Sequence, residues 1–160
     1  MKEVGLTHGY FYAHFASRNA LRVEALEQAG TEDAARIAQG VVRGRAGGSG
    51  ALRAVVEGYL SERHLAGAKN GCPVAALASE MARQAPEVRQ AAARRIRSLI
   101  GTIQNALPPN AAAESAAAIT SQLVGALQLA RTLGDNAEGK ALLAATRRAL
   151  LAQYDRSAAV

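Results

Sequence analysis

The sequence predicts an all-α protein, and three observations carry that prediction. Hydrophobic residues make up 49% of the 160 residues, yet aromatics supply only 4%. Much of the apolar fraction is alanine, the strongest helix former. Apolar positions recur at three- and four-residue spacing in one segment after another, and no stretch alternates as a strand would. A core built this way holds thin side chains and closely spaced helices.

Glycines and prolines divide the chain into its elements. Residues 6–15 read as a short helix or tight turn carrying Leu6, Tyr10, Phe11, Tyr12 and Phe15. Ser17 is a suitable N-cap for the next helix, which runs to about Val42 with Leu21, Ala25, Ala29, Ile37 and Val41 as its apolar positions. Gly30 interrupts that pattern and predicts a kink. The glycine-rich stretch from Gly44 to Gly50 reads as a flexible linker. A helix is expected over 51–67, with Leu52, Val55, Val56, Tyr59 and Leu60 on one face. Pro73 opens a short helix through Arg83, and Pro86 opens a longer one to Leu107. In the latter, Val88, Ala92, Ile96, Leu99, Ile103 and Leu107 form the stripe, while Arg89, Arg94, Arg95 and Arg97 fall largely elsewhere and read as a solvated face. Residues 111–133 form an alanine-rich helix. A turn at Gly134-Asp135-Asn136 follows, where Asp135 or Asn136 caps a last helix to about Tyr154.

Composition excludes several classes of function. One cysteine, Cys72, forbids an internal disulfide and suits a reducing cytoplasm. No run of about 18 apolar residues is present to span a bilayer, so no membrane partner is expected. His8, His14 and His64 do not combine with Cys72 at metal-ligand spacing, and Cys72 with His64 lacks a third orienting group. No catalytic residue, metal or cofactor is therefore expected, and the chain does not read as an enzyme. The net charge of +6 fits a polyanionic partner, and equally a solvated basic surface.

The informative segment is Gly5-Leu6-Thr7-His8-Gly9-Tyr10-Phe11-Tyr12-Ala13-His14-Phe15-Ala16-Ser17-Arg18. Thr7 can cap a short helix. Phe11 and Phe15 lie four apart and share a face, while His8, Tyr12 and Gly9 share another. Polar groups of this kind can contact phosphates and bases. Periodicity alone favours a terminal helix whose aromatics only pack. The string as a whole, however, resembles the helix-turn-helix of the TetR family of transcriptional regulators and the start of the helix behind it. Gly71–Glu80 resembles a segment of one ligand-binding TetR subgroup, and Val124–Arg131 with Gly134-Asp135 resembles that subgroup's dimerisation helix and the turn after it.

That resemblance implies a helix-turn-helix headpiece remnant over 1–46 and a ligand-binding and dimerisation core over 51–160. It implies a ligand-responsive regulator, read as a repressor, that binds double-stranded operator DNA as a homodimer and is relieved by a small-molecule effector. Thr7, His8 and Tyr10 take groove or adjacent positions by this resemblance, and Tyr12 and His14 take phosphate positions. Arg18 stands where the family usually has lysine, and an arginine can hold a phosphate with two hydrogen bonds. Family members carry a helix and a half before this point, so a chain starting at Met1 is expected to hold its headpiece loosely and bind DNA weakly. The alternative is a ligand-binding or dominant-negative helical dimer that does not bind DNA.

Two further sets of residues complete the expectations. A ligand pocket between the 51–67, 73–83, 86–107 and 111–133 helices draws on Tyr59, His64, Met81, Leu99, Ile103 and Gln122. A dimer through the last two helices draws on Ile119, Leu123, Ala126, Leu127 and Ala130, with Leu143 and Leu150 from the final helix.

Overall fold

The computed structural model describes residues 15–67, 71–112 and 114–155. The described residues contain seven helices and no strand: α1 (Arg18–Ala46), α2 (Ala51–Tyr59), α3 (Glu62–Ala66), α4 (Pro73–Met81), α5 (Pro86–Ala106), α6 (Ser115–Leu133) and α7 (Ala137–Tyr154). The all-α expectation holds. The segment carrying Thr7, His8, Tyr10, Tyr12 and His14 lies outside the described residues.

Three helices begin at a side chain that satisfies open N–H donors. The Ser17 hydroxyl accepts from the Ala20 N–H at 3.0 Å and starts α1. Asn136, not Asp135, caps α7: its Oδ1 accepts from the N–H groups of Glu138 and Gly139 at 3.0 and 3.1 Å. Pro73 and Pro86 open α4 and α5 as their fixed φ favours.

Three local expectations are corrected. The 51–67 segment is two helices, because the Ser61 hydroxyl donates to the Gly58 carbonyl at 2.8 Å and accepts from the His64 N–H at 3.2 Å, ending one helix and capping the next. The glycine-rich stretch is a tight corner. Helix α1 runs on to Ala46, Gly48 takes φ +81°, and the Ser49 N–H returns to the Gly44 carbonyl at 2.9 Å. At Gly30 α1 is continuous. This glycine is buried, and a Cβ there would overlap the side chain of Arg95 on α5. Gly30 therefore serves a close approach, which is the other physical reason for a glycine inside a helix.

The main core gathers Leu52, Val55 and Val56 of α2, Leu99 and Ile103 of α5, the buried face of α6, and Leu143 and Leu150 of α7. A smaller cluster of Leu26, Val88 and Ala91 joins the first half of α1 to α5. At the other end of the molecule, Arg53 of α2 pairs with Asp155 at 2.7 Å and ties the end of α7 back to the core.

The seven residues expected at a dimer face are all spent inside one subunit. Ile119, Leu123, Leu127 and Ala130 are fully buried, Leu143 and Leu150 are 1% exposed, and Ala126 is 6% exposed. They are the stripe by which α6 and α7 meet their own core. The outward face of α6 instead carries Ala118, Gln122, Leu129 and Leu133, and Leu129 is 60% exposed. On α7 the exposed positions include Ala141, Ala145, Ala149 and Ala152.

Candidate effector site

Three cavities share α1 as a wall. One, of about 320 Å³, lies between α1, α2 and α3 and is lined by Asp33, Arg36, Ile37, Tyr59 and His64 among others. A second, of about 230 Å³, lies between α1, α4 and α5, with Leu26, Val74, Met81, Ala92 and Ile96 in its apolar wall and Arg89 and Arg95 at its border. Between them is a space of about 20 Å³, room for one water, where Asp33, Cys72, Arg95 and Thr102 converge. Asp33 and Ile37 border the first and the smallest spaces, and Pro73, Val74 and Arg95 border the smallest and the second.

The first cavity has a rigid polar wall. The Tyr59 ring meets His64 edge-on, with ring centroids 4.8 Å apart. His64 Nδ1 lies 2.8 Å from the Tyr59 carbonyl, and its Nε2 accepts from the Cys72 N–H at 3.1 Å. Nε2 must therefore be unprotonated, which fixes a neutral imidazole with the proton on Nδ1. Burial holds His64 below the ordinary histidine value, against the pull of the Tyr59 carbonyl. Burial likewise pushes the Cys72 thiol and the Tyr59 phenol upward, so both stay protonated. The buried Tyr59 hydroxyl has no well-formed hydrogen bond, and the thiol beside it is a weak partner. Asp33, itself buried, is paired with Arg36 at 2.9 Å.

His64 gives a signed pH dependence. Its folded pKa is below the unfolded value of 6.5, so the unfolded chain binds more protons as the pH falls through that value. The His64 contribution to stability is complete above 6.5 and is lost progressively below it, down to the folded pKa. Thermal melts of the unaltered chain and of His64→Gln between about pH 8 and pH 5 should show the steeper acid decline in the unaltered chain. Parallel pH profiles would show that His64 is not held neutral.

The second cavity is bordered by an ion-pair cluster linking α5 to α1. Arg94 donates to Glu27 Oε1 through Nε at 3.0 Å and Nη2 at 2.9 Å, and Arg95 Nη2 pairs with Glu27 Oε2 at 3.0 Å. The Arg95 side chain crosses α1 over Gly30, is 20% exposed, and has a buried Nε without an acceptor. The arginine run is thus only partly a solvated face.

The six expected ligand residues do not share one cavity. Tyr59 and His64 line the first, Met81 the second and Leu99 the smallest. Ile103 is fully buried in the core. Gln122 is exposed on α6 and borders none of these three spaces. Sequence reasoning missed Asp33, Gly30 and Arg95. Only Gly30 left a signal, as a glycine inside an otherwise strong helix. Arg18 is exposed in the first turn of α1.

A long helix that lines several neighbouring cavities, followed by a compact helical unit, defines the architecture. Residues 49–148 match the family model of the C-terminal domain of LmrA/YxaF-like transcriptional regulators, and the chain belongs to this TetR-type family of transcriptional regulators. No curated protein matches the chain. No helix among the described residues is long and apolar enough to cross a membrane.

Proposed function

We propose that this chain is a cytoplasmic, ligand-responsive repressor that acts on operator DNA as a homodimer and is released by a small-molecule effector. One observation carries the reading: α1 is a wall of three neighbouring cavities and continues from the 5–18 segment that resembles a helix-turn-helix. A ligand in the core therefore touches the same helix that leads to the DNA-contacting residues. A ligand shifts the protein toward whichever α1 position it binds better.

The dimer forms through α6 and α7, by their outward faces rather than by the buried stripe. Ala118, Leu129 and Leu133 on α6 and Ala141, Ala145 and Ala149 on α7 are small or apolar and exposed. Small residues let helices approach closely, and two copies about a two-fold axis make a four-helix bundle. Ile119, Leu123, Ala126, Leu127, Ala130, Leu143 and Leu150 back this face from inside the subunit. Thr7, His8, Tyr10, Tyr12, His14 and Arg18 serve DNA, and Arg18 at the start of α1 takes a phosphate.

Transcript profiling after deletion of the gene tests this function. A small set of transcription units should change severalfold and return when the intact chain is supplied, but not when Arg18→Ala is supplied. An unchanged transcript profile would overturn the reading. If the purified chain nevertheless dimerises and binds small molecules, it is a ligand-binding dimer without a DNA role.

A further inference from the structure

The apolar cavity between α1, α4 and α5 has two arginines along its edge. Its wall is made of Leu26, Val74, Ala78, Met81, Ala92 and Ile96. The side chains of Arg89 and Arg95 line its edge. Arg89 makes no ion pair among the described residues. Arg94 and Arg95 share the single carboxylate of Glu27. Two positive charges therefore share one negative charge, and Arg95 Nε is buried with no acceptor. An orphaned buried donor of this kind is costly until an acceptor arrives.

We infer that this cavity takes a small amphipathic monocarboxylate, whose headgroup captures Arg95 from Glu27 and so loosens α5 from α1. This inference rests on the regulator reading above and names the chemistry of its effector. A carboxylate is the fitting headgroup because the group it displaces is one. Arg95 already holds one carboxylate oxygen, Glu27 Oε2, and a planar guanidinium favours a bidentate carboxylate partner. A cation is repelled by Arg89 and Arg95, and a neutral ligand gains no ion pair with them. Size follows from volume. An apolar cavity of about 150 Å³ accepts benzene, so about 230 Å³ accepts roughly ten non-hydrogen atoms. Gly30 fixes the geometry of the switch: without a side chain there, Arg95 can lie against α1 and reach Glu27 one turn away. When Arg95 turns to the ligand, Arg94 alone still holds Glu27.

Calorimetric titration of the intact chain with octanoate, octanol and octylamine tests the inference. Octanoate should bind about tenfold or more tightly than octanol, and octylamine should not bind detectably. Arg95→Gln should bring octanoate down to the octanol level while leaving octanol unchanged, and Arg95→Lys should recover only part of the difference. Glu27→Gln removes the competitor and should tighten octanoate severalfold. A variant that loses its helical circular dichroism is replaced in the comparison by Arg89→Gln, for which a smaller loss is expected. Equal binding of octanoate and octanol, or weaker octanoate binding by Glu27→Gln, would overturn the inference. If octanoate fails while gene deletion changes transcripts, the site is wrong and the regulator stands. If octanoate binds as described and transcripts do not respond to deletion, the regulator is wrong and the site stands.

Discussion

Leu129→Glu is expected to yield a folded monomer, whereas Leu127→Glu, only two residues away, is expected to yield no folded protein. Leu129 is 60% exposed on the outward face of α6, and Leu127 is fully buried in the core. A charge at position 129 meets water in the free subunit and meets the partner only in the dimer. A charge at 127 has no partner in an apolar interior, a cost of several kcal/mol added to the lost leucine. Truncating such a leucine to alanine alone costs about 2–5 kcal/mol, which is comparable to the whole stability of a small domain. Light scattering and circular dichroism on the two variants decide the matter together. A dimer that survives Leu129→Glu would remove the outward face from the interface, and a folded Leu127→Glu would contradict the core.

A second large effect is expected at Gly139, in the first turn of α7. A Cβ there would run into the carbonyl oxygens of Gly134 and Ala130, which are backbone atoms at the end of α6. A flexible side chain could swing away, but a helix end cannot. Gly139→Ala should therefore cost about 2–3 kcal/mol, at the upper end of overpacking, despite the gain in helix propensity. A lowered melting temperature with retained helix content is the expected signature. A variant as stable as the parent would show that α6 and α7 are not held this closely.

The order of the helices was legible because prolines, glycines and the apolar period all act locally. Pro73, Pro86 and Ser17 start the helices they were expected to start. What failed was the assignment of faces. In α6 nearly every position is apolar or small, so the period has no polar side to orient it. The leucine-rich stripe suits a subunit's own core as well as a partner. The long-range closures were equally hidden. Nothing in the residue type of Arg95 separates a solvated arginine from one laid across Gly30, because the distinction lies in how α5 crosses α1. Tyr59 and His64 were brought together because they are five residues apart, whereas Met81, Leu99 and Ile103 diverge along two helices. Leu26 was overlooked in favour of Leu21 and Ala25, and it is the residue of α1 that joins the second core cluster.

The length of α1 sets the amplitude of any signal it carries. Its 29 residues span about 43 Å at 1.5 Å per residue. Held at its core end, such a rod converts a tilt of about 5° into a displacement of nearly 4 Å at its far end, roughly a tenth of the 34–36 Å between successive half-sites on a duplex. The ligand itself need move nothing that far. The ion pair sits at Glu27, in the first half of the rod, and the helix runs on unbroken through Gly30. A hinge at that glycine would let the residues before it pivot alone; a continuous helix moves as one lever.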